Sequence, residues 1–305
     1  MMEPVDTSLN VQAQDGHCFD LRVRHDAAEQ PAAVVLCLPG MGVPAAFYQP
    51  LAKALSSEDI AVALMDLRGV GSSSVRASRK TDFGYYEIIA YDIPGAVAEL
   101  QRRFPSAAIF LLGHSMGGQL ICLSASSLLP DIAGIILMAS GTVYHRAWDF
   151  PYDVGTYVFQ LFIPLVARLW GYFPGARLGF GWREARRQLR DWSYQGRTGR
   201  YKVVGCNCDL ERLLPALAVP VLAISFTQDF YAPPRSVDHL LGKLKGAEIT
   251  RELLDPADLG LDRNSHFGWV KRAELFSPRI RGWVRGVLAG ERTPRDGSRA
   301  LEEGA

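Results

Sequence analysis

Ala107-Ala108-Ile109-Phe110-Leu111-Leu112-Gly113-His114-Ser115-Met116-Gly117-Gly118-Gln119-Leu120-Ile121-Cys122-Leu123-Ser124-Ala125-Ser126-Ser127 changes character twice within 21 residues. The six apolar residues at Ala107–Leu112 suit a strand buried on both faces. After Gly118, Leu120, Leu123 and Ala125 fall in a helix-forming run. The residues between must then make a sharp strand-to-helix turn with Ser115 at its apex. Gly113 and Gly117, two positions either side, let the backbone take a strained turn without side-chain collision. A helix starting near Met116 aims its free N–H groups at the serine, where charge growing on a bound carbonyl oxygen would be stabilised. The inert alternative is a Gly-rich connection with a solvent-facing serine.

Working outward, the same rhythm recurs. Leu9–Gln14 and His17–Arg24 alternate as two antiparallel strands joined at Asp15-Gly16, which places His17 and His25 on the surface. Ala33–Leu38 and Ile60–Met65 are wholly apolar strands, and an amphipathic segment runs from Ala45 to Leu55 between them. The loop Asp66-Leu67-Arg68-Gly69-Val70-Gly71-Ser72-Ser73 lacks the glycine spacing of a phosphate cradle, so no nucleotide is implied. Tyr85–Phe104 reads as a helix interrupted at Pro94. After the serine turn come apolar strands at Ile132–Met138, Val219–Phe226 and Ile249–Leu254, and a closing helix over Arg279–Leu288. Strands alternating with helices argue for a mostly parallel sheet covered on both faces.

The rhythm breaks once. Between Tyr144 and Tyr194 lie 14 of the chain's 31 aromatic residues, and we read 144–215 as an inserted helical cap between two core portions, 1–143 and 216–290. An Arg-rich segment, 177–202, overlaps it; this pattern fits either a solvated helix face or a seat for an acidic group. Residues 291–305 are charged and Gly-containing, the composition of a disordered tail.

At Gly113–Gly118 the sequence resembles the nucleophile elbow of esterase, lipase and serine-aminopeptidase-like members of the α/β-hydrolase superfamily, and the likeness runs from about Leu9 to about Leu288. It implies a mostly parallel central sheet with helices on both faces and an inserted cap. Members order their catalytic residues Ser, then Asp or Glu, then His, an order that Ser115, Asp229 and His266 follow, with the last two placed after strands. In this scheme His266 removes the Ser115 proton and Asp229 orients the imidazole. Asp255, Asp258 and Asp262 compete for the acid role; His114, whose side chain should point away from the site, and His145 and His239 fit the base role less well. The family usually has His-Gly after its first parallel strand; here Pro39-Gly40 stands there. Gly40 survives, so the Met41 N–H carries over as one oxyanion donor and the Met116 N–H as the other.

The chain of 305 residues is 48% hydrophobic and 21% charged, with a formal net charge of +1, so it offers no global electrostatic footprint for nucleic acid or an anionic membrane. Of five cysteines, Cys206-x-Cys208 lacks a second ligand pair, so it reads as two thiols rather than half a metal site. No metal or cofactor is expected. The start lacks a signal-peptide pattern and the longest apolar stretch, Thr156–Ala167, is too short to span a bilayer, which points to a cytoplasmic protein. The expected activity is hydrolysis of an ester or thioester with an apolar acyl group through an acyl-enzyme. A short-peptide peptidase, an acyltransferase and a non-catalytic protein holding an apolar ligand stay open, and so does the oligomeric state.

Overall fold

The computed structural model describes residues 5–25, 30–128, 132–179, 181–261 and 265–291. The strands are β1 (Val5–Gln12), β2 (Cys18–His25), β3 (Ala33–Leu38), β4 (Ile60–Met65), β5 (Ala108–His114), β6 (Gly134–Met138), β7 (Pro220–Phe226) and β8 (Glu248–Leu254). They form one sheet in the order β1-β2-β4-β3-β5-β6-β7-β8. The β1–β2 and β2–β4 pairs are antiparallel; every pair from β4 to β8 is parallel.

The helices are α1 (Gln49–Leu55), α2 (Tyr85–Glu87), α3 (Ile93–Arg103), α4 (Met116–Leu128), α5 (Tyr152–Trp170), α6 (Gly175–Leu178), α7 (Arg186–Thr198), α8 (Leu210–Leu213), α9 (Pro234–Leu241), α10 (Ser265–Gly268) and α11 (Ala273–Leu288). Every residue of β3 and β4 is buried, because helices cover both faces. The period of two divides β3 between two cores. Val34, Leu36 and Leu38 pack with residues of α3 and α4, whereas Ala33, Val35 and Cys37 pack with residues of α1 and α11.

The chain leaves β3 for β4 on one side and returns to β5 on the other. Such a reversal opens a crevice above the carboxyl ends of β3 and β5, where open α/β sheets bind ligands. Residues between β6 and β7, α5 to α8 among them, supply the aromatic-rich helices. Within α5, Pro164 has no N–H for the Gln160 carbonyl, and the Arg197 side chain donates to that oxygen instead (3.0 Å).

Several local expectations are corrected. His17 and His25 are buried. The 66–74 loop and the turn before α3 fold over the hairpin, so His17 Nδ1 meets Asp92 (2.9 Å) and Nε2 meets Ser73 (2.8 Å), while Arg68 bridges Asp92 and Asp15. The interruption of the 85–104 helix is not at Pro94. It is a π-type turn over Ile88–Asp92, and Pro94 sits in the first turn of α3, where a missing N–H is tolerated. α11 begins at Ala273, with Pro278 inside it. Cys206 and Cys208 are joined as a disulfide; their Cα atoms lie 5.4 Å apart, within bridging range. The proposed tail, apart from Glu291, lies outside the described residues.

Candidate active site

Ser115 stands between β5 and α4 with φ +54°, a left-handed conformation that costs a non-glycine residue about 1–3 kcal/mol. Three hydrogen bonds hold it. The Ser115 N–H donates to Met138 O (3.2 Å), and the Ser115 carbonyl accepts from the Gly118 N–H (3.1 Å) and the Ser140 hydroxyl (2.7 Å). The flanking glycines have no room for side chains. A Cβ on Gly113 would strike the Gly118 backbone, and one on Gly117 would strike the Leu38 and Pro39 carbonyl oxygens.

His266, on α10 after β8, brings Nε2 to 3.1 Å from Ser115 Oγ. Its Nδ1 lies 2.8 Å from Asp229 Oδ2, in the loop after β7. The other carboxylate oxygen of Asp229 accepts from the Tyr231 and Ala232 N–H groups at 2.8 and 3.0 Å, so both oxygens are engaged and the carboxylate cannot swing. Asp229 and His266 are each 3% exposed. Of the rival acids, Asp255 bonds the Ala257 N–H and Asp258 is exposed; neither reaches His266, and Asp262 lies outside the described residues.

His114 plays a part that the sequence did not disclose. Its side chain is turned from the cavity yet packs on His266, ring centroids 4.8 Å apart. Burial, reinforced by the neighbouring His266, pushes its pKa well below the usual histidine value, so it is neutral. His114 Nε2 lies 2.7 Å from the His266 carbonyl, which can only accept, so that nitrogen carries the proton. Nδ1 is then the acceptor for the Tyr48 hydroxyl at 2.6 Å, and the Tyr48 oxygen in turn accepts the Gly40 N–H at 3.0 Å. One buried chain therefore joins the loop after β3 to the backbone of His266. Tyr48 carried no sequence signal beyond its place in an amphipathic segment.

Over Ser115 lies a cavity of about 170 Å³. The core contributes Met41, Met116 and Gln119, whose side-chain oxygen accepts from the Tyr201 hydroxyl (3.0 Å). Trp148, Thr156, Phe159 and Trp192 close it from the segment between β6 and β7. That segment also touches the loop after β3, since a Cβ on Gly42 would meet the Gly181 and Trp182 backbone.

The Arg-rich run divides. Arg197 is tied to Gln160 O, whereas Arg186, Arg187 and Arg190 line a groove between α5 and α7, Arg187 being tied there to Glu87 (2.5 Å). Cys37 and Cys122 are buried, which raises both thiol pKa values, that of Cys122 to about 12. Among the described residues, no group of three or more His, Cys, Asp or Glu is placed to hold a metal ion, and no helix is long and apolar enough to cross a membrane.

Residues 29–257 match the family described as serine aminopeptidase, S33. Human monoglyceride lipase is 31% identical over 109 residues, covering 36% of this chain and 35% of that protein. Protein phosphatase methylesterase 1 of Candida albicans is 26% identical over 125 residues, covering 40% and 32%. The chain thus spans about a third of the length of the curated relatives it matches. Among solved structures, a thermophilic esterase from Thermogutta terrifontis superposes with a TM-score of 0.61 at 17% identity, over 92% of this chain and 99% of that one. The esterase domain of a Rhodothermus marinus protein gives 0.60 at 14%, over 93% and 98%. With the sheet order above, these likenesses show the fold to be that of the α/β-hydrolases.

Proposed function

The chain belongs to the serine aminopeptidase S33 family, and from that premise we propose that it is a serine hydrolase that cleaves esters or thioesters with an apolar acyl group. The observation that carries this reading is the continuous line Ser115 Oγ, His266 Nε2, His266 Nδ1 and Asp229 Oδ2, with separations of 3.1 and 2.8 Å, at the floor of an apolar cavity. In the reaction His266 accepts the Ser115 proton as Oγ attacks the acyl carbon, and Asp229 stabilises the imidazolium that forms. The Met41 and Met116 N–H groups receive the oxyanion. His266 then returns its proton to the leaving oxygen or sulfur, and a water activated by the same imidazole releases the acid from Ser115.

The helical cap, taken as 144–215, roofs the acyl group. Phe159 and Trp192 exclude water from the ester, and burying each methylene of the acyl chain contributes up to ~0.8 kcal/mol. That human monoglyceride lipase is among the relatives supports an acyl ester as substrate. A peptidase is favoured less, because the described cavity lining offers no carboxylate for a peptide's terminal ammonium group. The test is a fluorophosphonate probe followed by a nitrophenyl ester series from acetyl to dodecanoyl. Adduct mass on Ser115 and efficiency rising with chain length are expected. Labelling elsewhere, or turnover confined to aminoacyl amides, would reject the reading.

A further inference from the structure

The apolar stripe of α5 faces the wrong way for a helix that serves only its own core. Between Asp153 and Arg168 it carries no charged residue, yet its buried positions are only Gln160, Ile163 and Ala167. Val154, Val158, Leu161, Leu165 and Leu169, spaced so that they fall along one line of the helix, are each at least half exposed, with Leu169 at 67%. A monomer rarely leaves so large a contiguous apolar area in water without an occupant. The charge beside it indicates which occupant. The groove between α5 and α7 is lined by Arg168, Arg186, Arg187 and Arg190 with Asp82; Arg186 and Arg187 flank Asp82 and Arg187 is also paired with Glu87, so the groove's excess positive charge rests on Arg168 and Arg190. Leu165 belongs to both the stripe and the groove wall.

We propose that the outer face of α5 docks the protein on an anionic lipid surface, with the arginine-lined groove between α5 and α7 receiving the lipid phosphates. A helix with an exposed apolar line, a neighbouring cationic groove and Trp170 at its end lies along the headgroup layer. Spanning is excluded for α5, because its inner side is committed to the fold through Gln160, which donates to Val143 O at 2.6 Å. The placement serves the proposed chemistry. Phe159, which lines the cavity over Ser115, is six residues from Leu165, about 9 Å along the axis of the same helix, so one element carries both the cavity wall and the proposed docking face.

The test uses the full chain and vesicles of neutral phosphatidylcholine, or of phosphatidylcholine with 30% phosphatidylglycerol, read by co-sedimentation. Binding to the anionic vesicles should exceed binding to the neutral ones by tenfold or more. Near the surface each arginine contributes about 1 kcal/mol, so the double variant R168S/R190S should lose about thirtyfold on anionic vesicles and little on neutral ones. The double variant L165S/L169S should lose binding to both. Both variants should hydrolyse a water-soluble short-chain ester at the parent rate, which shows that they are folded. Equal binding to the two vesicle types, or binding that survives both variants, would overturn the proposal. So would a dimer in sedimentation equilibrium that L165S/L169S dissolves, or inorganic phosphate binding in the groove without vesicle binding. Vesicle binding needs no turnover and should persist in S115A, so failure here leaves the hydrolase reading untouched, and the reverse also holds.

Discussion

Two apolar helices of this protein, α4 and α5, stand on either side of the cavity, and only one behaves as its composition predicts. α4 buries Leu120, Ile121, Cys122 and Leu123 against the sheet and starts at the serine turn. α5 is as apolar, yet it turns most of its large side chains outward and contributes Thr156 and Phe159 to the roof of the cavity. Hydrophobicity thus has two uses here. In the sheet layers it holds rigid loop ends at the carboxyl edge, where the reacting groups are placed. In the segment between β6 and β7 it lines the cavity and leaves an exposed stripe on α5, the two surfaces that we propose receive acyl chains. Substitutions in the first region should alter turnover for every substrate; substitutions in the second should alter which substrate is preferred.

The largest expected effect tests the first half of that contrast. Ser115→Ala should reduce kcat by at least about a thousandfold for acetyl and decanoyl esters alike, and Asp229→Asn by about ten-thousandfold, because the imidazole then takes the wrong tautomer. Steady-state kinetics over the ester series would show it. A loss confined to long chains would place these residues in acyl recognition and erase the distinction.

Next in size is the buried chain through His114. Tyr48→Phe removes the donor to His114 Nδ1 and the acceptor for the Gly40 N–H. Unsatisfied buried groups cost about 1–3 kcal/mol, so a fall in unfolding free energy of that order is expected from urea denaturation. Because the chain ends on the His266 backbone, kcat should drop several-fold for all chain lengths with KM little changed. A pure stability loss with normal kcat would limit Tyr48 to packing.

Substitutions in the segment between β6 and β7 should act selectively. Phe159→Ala and Trp192→Ala are expected to flatten the gain per methylene, lowering decanoyl efficiency by tenfold or more and leaving acetyl efficiency within a few-fold. Parallel loss at every chain length would mean that the roof only supports the triad.

A last expectation, read as a pH slope rather than a rate, concerns how the segment between β6 and β7 is fastened. Asp191 on α7 accepts from the Tyr85 N–H (3.1 Å) and the Val204 N–H (3.0 Å), and burial raises its pKa from 3.8 to about 7. The folded chain keeps this proton between about pH 4 and 7, where the unfolded chain has lost it. Its contribution to stability is therefore full below pH 4 and is lost as the pH rises toward 7. Asp191→Asn should remove up to one proton's worth of that slope, about 1.4 kcal/mol per pH unit, in urea midpoints measured from pH 4 to 7. An unchanged slope would show that Asp191 is ionised throughout.

Elements whose environment is uniform were legible in the sequence. Ala33–Leu38 and Ile60–Met65 are strands with those bounds, since a run of apolar, β-branched residues between turn formers has few other states. The strand, turn and helix around Ser115 were legible because Gly113 and Gly117 admit no side chain there. Misreadings came where a distant segment supplies the environment. Asp15-Gly16 marks a hairpin correctly, yet nothing local shows that the 66–74 loop covers it and buries His17 against Asp92. Cys206 and Cys208 gave no hint of bridging, because spacing of ligands says nothing about the loop that brings two sulfurs together.

By itself, then, the sequence determined the alternation of strands and helices and the sharp turn at Ser115, set by periodicity and local sterics that act over a few residues; the order Ser, Asp, His was expected from the likeness to the α/β-hydrolases. Tertiary structure alone decided that Asp229 rather than Asp255 or Asp258 faces His266, that His114 is neutral and braces its backbone, and that the apolar stripe of α5 looks outward. Those outcomes depend on which surfaces meet across up to about 150 residues of chain, as between Ser115 and His266, and on how much water each meeting removes. Burial and proton position are properties of the meeting, and no single segment carries them.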